Sequence, residues 1–168
     1  MNQLPNIAAM LRAQQVQALL LTNDAPESIQ YATGFGGLEG MVLITAAGKG
    51  FVLTDSRYIE AARARLTPLG FAVSVPPQGG PSAPALRALL EGEQITRLAF
   101  LAQCMSVQTH QRLTAALPDC TLEPLGEGLT RLRQICCDPA LCYEDYQGGS
   151  AKLESCMELL SEAAAAGH

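Results

Sequence analysis

Two β-rich runs, Met41-Val42-Leu43-Ile44-Thr45 and Phe51-Val52-Leu53-Thr54, are separated only by Ala46-Ala47-Gly48-Lys49-Gly50. A connection of that length, with glycines to supply positive φ, makes the two runs pair as an antiparallel hairpin. The hairpin constrains everything around it, because apolar runs of strand length alternate with segments of helical spacing along the rest of the chain. Val16 to Leu21 reads as a buried strand stopped by the turn-formers Thr22-Asn23-Asp24, and further strands are expected at Phe71 to Val75, Leu98 to Ala102 and Thr121 to Glu123. Alternation of this kind gives an α/β protein with helices on both faces of a sheet, and the hairpin makes that sheet mixed.

The helices show by their apolar spacing. Leu4, Ile7, Ala8 and Leu11 mark a first helix, with Asn2 as its expected cap and Pro5 in the first turn, where a missing N–H costs least. Ile59, Ala62 and Leu66 form the inward face of another, capped by Asp55 or Ser56 and stopped by Pro68 and Gly70. Others are expected at Ala85 to Leu90, Val107 to Leu117 and Leu125 to Arg133. Asn23 to Gly40 reads as a loop with one helical turn near Pro26 to Tyr31, and Pro76 to Pro81 as an exposed connection. Beyond a domain of residues 1–135, the Cys- and Gly-rich residues 136–150 read as a linker. Residues 151–168 read as an amphipathic helix with Leu153, Met157 and Leu160 on one face.

Composition removes several classes of function. At 48% hydrophobic residues the chain has enough apolar content for a packed core, so disorder is excluded. No apolar stretch approaches the roughly 20 residues needed to cross a bilayer, so no membrane partner is expected. A net charge of −5 without a basic block argues against nucleic acid. The start Met1-Asn2-Gln3-Leu4-Pro5 lacks the features of a secretory signal, and the expected compartment is the cytoplasm. There all six cysteines would be thiols, serving chiefly as small buried hydrophobes.

Candidate chemistry is sparse. Gly34-Phe35-Gly36-Gly37-Leu38-Glu39-Gly40 is glycine-dense, but its spacing is not that of a dinucleotide fingerprint and it leads into a strand rather than a helix, so a tight loop is expected. Thr54-Asp55-Ser56-Arg57-Tyr58 places an acid, a base and a phenol at a strand end. If the backbone stays extended there, Asp55 and Arg57 share a side and form a charge pair, better read as a cap with a structural ion pair than as catalysis. Ser56 has no His beside it to activate it. Cys136, Cys137, Cys142 and Cys156 lack the paired C-x-x-C spacing of a zinc site, and His110 reads as structural. No catalytic residue and no metal ligand is assigned.

Several blocks in order resemble the N-terminal domain of the creatinase, prolidase and Xaa-Pro aminopeptidase family. They are Val16-Gln17-Ala18-Leu19-Leu20-Leu21-Thr22-Asn23, Ile29-Gln30-Tyr31-Ala32-Thr33-Gly34-Phe35, Met41 to Thr45, Leu53-Thr54-Asp55-Ser56-Arg57-Tyr58-Ile59-Glu60-Ala61-Ala62, Leu69-Gly70-Phe71 and Leu129 to Ile135. The Tyr-x-Thr-Gly-Phe and Thr-Asp-x-Arg-Tyr blocks are the specific ones, and the branch most resembled is bacterial Xaa-Pro aminopeptidase. The resemblance implies a ribonuclease H-like mixed sheet. In this family that domain precedes a pita-bread catalytic domain holding two divalent metals such as Mn, whose Asp, His and Glu ligands lie beyond the matched region. It therefore implies a domain with no cofactor of its own and no peptidase activity by itself, serving dimer assembly and substrate gating. Its partner would be a second copy or a catalytic-domain chain, with Tyr31, Phe35, Asp55, Arg57 and Tyr58 as the gating or interface residues. Residues 152–167 resemble the first helix of the catalytic domain, while the cysteine-rich stretch before them has no family counterpart. The competing reading is an independent binding or thiol- or metal-dependent module that retains the fold.

Overall fold

The computed structural model describes residues 3–125, within a unit spanning Met1–Gly126. Their elements run α1 (Leu4–Ala13), β1 (Ala18–Leu21), α2 (Pro26–Thr33), β2 (Gly40–Thr45), β3 (Gly50–Thr54), α3 (Ile59–Leu66), a 3₁₀ turn (Thr67–Leu69), β4 (Phe71–Ser74), α4 (Ala83–Gly92), β5 (Arg97–Leu101), α5 (Val107–Ala116) and β6 (Thr121–Leu125). The readings made for residues 136–150 and 151–168, and for Cys136, Cys137, Cys142 and Cys156, lie outside the described residues.

The strands form one mixed sheet in the order β4-β3-β2-β1-β5-β6. The expected hairpin is present: β2 pairs antiparallel with β3, Val42 opposite Val52 and Leu43 opposite Phe51. β1 joins β2 antiparallel and β5 parallel, and β3–β4 and β5–β6 are parallel. The central strands are buried on both faces, which is why β1 reads Ala-Leu-Leu-Leu rather than alternating apolar with polar. On one face Ala18, Leu20, Leu43, Leu53 and Leu98 meet Leu86 and Leu90 of α4, Leu113 of α5 and Leu117 just after it. On the other, a Cβ at Gly50 would run into Phe71 and Leu4, so α1 lies close enough that only glycine fits there. The two edges are blunted by different means. Pro124 stands within β6, where it can offer no N–H, and the Val73 carbonyl of β4 accepts the Arg63 Nε–H at 3.4 Å.

Several local expectations are corrected. α1 starts from Gln3, not Asn2, and Gln3 gives no side-chain cap: its Oε1 accepts the Tyr31 hydroxyl at 2.9 Å and the Asn6 amide at 3.1 Å. The segment after β1 holds two helical turns, not one. Pro26 begins α2, and Gly34 ends it at φ +68° with its N–H on the Gln30 carbonyl at 2.7 Å. The residues that suggest a loop are those that bound a helix. α3 begins after Tyr58, so neither Asp55 nor Ser56 caps it. Val75 falls outside β4, and Pro76 is buried although its connection is mostly exposed. Leu125, expected to open a helix running to Arg133, is the last residue of β6, and the rest of that reading lies outside the described residues. Cys104 and Cys120 are half-buried free thiols rather than core residues.

Candidate functional site

Strand directions bring the chemistry to one end of the sheet. β1 ends into Thr22-Asn23-Asp24, and β2, running the other way, starts at Gly40 opposite Thr54 at the end of β3. Two hydrogen bonds pin the segment between them: the Gly40 N–H donates to Asn23 Oδ1 at 2.7 Å, and the Thr54 hydroxyl to the Glu39 carbonyl at 2.7 Å. Glu39 is thereby held beside the turn that follows β3.

That turn carries Asp55, Arg57 and Tyr58. The backbone is not extended there as the sequence reading required; the ion pair forms because the chain turns. Asp55 Oδ1 accepts the Arg57 backbone N–H at 2.8 Å, and Asp55 Oδ2 accepts the Arg57 Nη2–H at 2.7 Å. The same Nη2 reaches Glu39 Oε2 at 2.8 Å, and the guanidinium carbon stands 5.1 Å from the centroid of the Tyr58 ring. Arg57 is thus fixed in direction although its side chain remains 65% exposed. The Asp55 hydrogen bond, then that of Glu39, raises the Arg57 guanidinium above its ordinary value.

Tyr31 and Phe35 do not join this corner. The Tyr31 hydroxyl is spent on Gln3, and Phe35 is buried beneath Arg65, whose guanidinium carbon lies 4.9 Å from the ring centroid. His110 packs at 5.1 Å against Phe100, ring to ring, as a structural residue does. The glycine run is a loop with left-handed turns at Gly34 and Gly37.

Asp55 gives a pH test. The hydrogen bond from Arg57, outweighing some desolvation, holds its carboxyl below the ordinary 3.8. A group whose pKa falls on folding contributes stability above its unfolded value and loses it as pH drops through the folded one. The Asp55–Arg57 link is therefore expected to persist to about pH 4 and to break only below it. A carbon-13 titration of the Asp55 carboxyl should give a midpoint under 3.8; a midpoint at or above that value would mean the pair does not form.

Beside the corner lies a feature the sequence reading missed. A cavity of about 710 Å³ is lined by Asn23, Asp24, Gly40, Met41, Pro81 and Arg112, among others. The connection into α4 separates it from Asp55: a Cβ at Gly80 would meet the Asp55 Cβ at 3.8 Å, and the next residues, Pro81 and Ser82, form cavity wall. Ser82 caps α4 by accepting the Ala85 N–H, and Ser106 caps α5 by accepting that of Thr109. Asp24 bridges the strand end to α5 by accepting the Ser106 N–H at 2.9 Å. Desolvation alone would raise the Asp24 carboxyl; hydrogen bonds from the Ser106 backbone and from the Thr109 and Ser106 side chains outweigh it and hold the group ionised below its ordinary value. Thr22-Asn23-Asp24 reads in sequence only as turn-formers, and nothing local marks Arg112.

Among the described residues no three His, Cys, Asp or Glu side chains converge into a metal site. Asp24 and Asp55 are each engaged by other partners, so the donors among the described residues do not fit the paired metals of an Xaa-Pro peptidase. No described helix is long and apolar enough to cross a membrane.

Residues 3–135 match the family model described as the creatinase/prolidase N-terminal domain. Among solved structures, an Xaa-Pro aminopeptidase from Streptococcus pyogenes is 30% identical with a TM-score of 0.67, the match covering 78% of this chain and 95% of that one. An Xaa-Pro dipeptidase from Bacillus anthracis is 22% identical at a TM-score of 0.69, over 83% of this chain and 37% of that one, so this chain spans well under half of the dipeptidase. The N-terminal domain of the cytoplasmic peptidase PepQ from Mycobacterium tuberculosis H37Rv is 20% identical at a TM-score of 0.65, covering 78% of this chain and 98% of that one. At those last two identities the likeness is one of fold. No curated protein matches the chain.

Proposed function

The chain belongs to the creatinase/prolidase N-terminal domain family, and from that premise we propose that it is a non-catalytic assembly and gating domain for an Xaa-Pro peptidase. It would act in the cytoplasm, as a dimer or docked to a chain that carries the catalytic domain, and without a cofactor of its own. The observation that carries this reading is the Arg57 corner: an exposed cation held in one direction by Asp55, Glu39 and the Tyr58 ring at the loop end of the sheet. A side chain fixed before a partner arrives loses little rotamer freedom on contact, as an interface or channel-lining group requires. Two carboxylates against one guanidinium leave the corner net negative. That favours the N-terminal ammonium of a peptide, or a basic group of a partner, over a carboxylate at this edge. In this reading Tyr31 and Phe35 act indirectly, by anchoring the loop that presents Glu39.

The competing thiol-dependent module gains nothing from Cys120. Burial, with help from Glu123, pushes that thiol up and away from the reactive thiolate. The test is hydrolysis of an Xaa-Pro peptide by the full chain with added manganese, run beside its solution mass. No turnover is expected, with the mass of a dimer or, when a catalytic-domain chain is supplied, of a complex. Manganese-dependent cleavage by the chain alone would overturn the proposal, and so would a monomer that ignores the catalytic chain.

A further inference from the structure

One cation in the described structure stands apart. Arg57, Arg87, Arg97 and Lys49 all pair with carboxylates; Arg12 and Arg63 donate to backbone carbonyls, and Arg65 lies over Phe35. Arg112 alone among the described Arg and Lys residues has no such partner, and it lines the cavity at the end of β1 and β2. It stands three residues beyond Thr109 on α5, so both side chains fall on the face of that helix that borders the cavity.

The cavity itself has the features of a small-molecule site. Its volume of about 710 Å³ lies within the range in which proteins hold ligands of peptide size. Met41, Pro81, Leu113 and the alanines of α5 give it an apolar lining. Several of its polar groups are committed: Asn23 Oδ1 holds the Gly40 N–H, Asp24 holds Ser106, and Ser82 caps α4. Of its two charged groups, Asp24 is engaged and the guanidinium of Arg112 is not, a planar fork that meets a carboxylate with two parallel hydrogen bonds. Asp24, kept ionised, lines the same cavity and would repel a second negative charge on the ligand.

We propose that this cavity binds a small ligand with an apolar body and one terminal carboxylate, which Arg112 receives. A short peptide with a free C-terminus and a simple apolar carboxylic acid share that chemistry. The site needs neither a dimer nor a catalytic domain, so it can fail or stand independently of the assembly role.

The test is an amide chemical-shift titration of the full chain with trialanine as probe, beside trialanine amide and hexanoate. Saturable shifts are expected at Gly40, Met41 and along Thr109 to Ala116. Affinity should fall at least tenfold for the amide, and at least tenfold for trialanine in Arg112→Gln. Arg112 is exposed, so that variant should fold normally, and an unchanged spectrum away from the cavity checks this. Arg112→Lys, which keeps the charge but not the fork, should bind more weakly than wild type and more tightly than Arg112→Gln. Tighter binding of trialanine than of hexanoate would support a peptide, and equal binding a general carboxylate site. Absence of saturable shifts, equal response to acid and amide, or undiminished binding in Arg112→Gln would overturn the proposal.

Discussion

Substituting Leu43→Ala is expected to lower the unfolding free energy by about 3 kcal/mol, within the range for emptying a buried leucine site. Leu43 is 1% exposed in the middle of β2, opposite Leu20 on one neighbour and Phe51 on the other. It belongs to the cluster that joins the sheet to Leu86 and Leu90 of α4, Leu113 of α5 and Leu117 just after it. Strands flank it on both sides and helices cover its face, so the surroundings cannot collapse into the space without moving the sheet. Domains of this size are stable by only about 5–15 kcal/mol, and the loss should lower the melting temperature by about 10 °C. Val107→Ala is the control: Val107 is 73% exposed at the start of α5, and its truncation should change stability by no more than about 0.5 kcal/mol. Urea denaturation of the three proteins decides the matter. A Leu43→Ala variant within about 1 kcal/mol of wild type would mean that this cluster does not hold the helices on the sheet.

Much of this architecture is legible in sequence because its signals are local. A hairpin needs only two β-rich runs and a glycine-bearing connection, and Met41 to Thr54 contains all three. A buried central strand needs only an uninterrupted apolar run, as in β1. Where the local reading fails, a longer-range contact has decided. Gln3 cannot cap α1 because Tyr31, 28 residues away, occupies its side chain. Asp55 does not cap α3 because Arg57 claims both of its oxygens. Pro26 and Gly34 bound a helix rather than break one because Ser28, Ile29, Ala32 and Thr33 between them are buried.

The candidate site divides along the same line. The acid–base pair of Asp55 and Arg57 was visible, being two residues apart, but not its link to Glu39, which depends on β2 starting beside the end of β3. The cavity was not visible at all. Its walls come from the end of β1, the start of β2, the approach to α4 and one face of α5, and only the sheet order brings these together. An unpaired arginine is a property of what surrounds it, so Arg112 carries no mark in the sequence.

Gly40 is where fold and site meet, and Gly40→Ala should be costly for a reason that separates it from the left-handed glycines. Its φ is not left-handed, so alanine could adopt the backbone; the obstacle is space, because an added Cβ would collide with the Leu53 carbonyl oxygen. That oxygen belongs to the neighbouring strand and is held by the register that sets Gly40 opposite Thr54 and Met41 opposite Leu53, so it cannot swing away as a side-chain end could. Overpacking a site that cannot yield costs about 3 kcal/mol. Gly34→Ala makes the comparison: nothing lies within 4 Å of its added Cβ, and the penalty comes only from φ +68°, about 1 kcal/mol for alanine. The two substitutions should also differ at the site. Displacing the start of β2 loosens the Gly40 bond to Asn23 and draws Glu39 away from Thr54 and Arg57, whereas Gly34 touches none of these. The Arg57 side-chain N–H resonance should therefore shift or broaden in Gly40→Ala and stay in place in Gly34→Ala. If the two variants lost equal stability, or if Arg57 did not register the change at Gly40, the β2 start would not be what positions Glu39, and the corner would have to be held by the Asp55 turn alone.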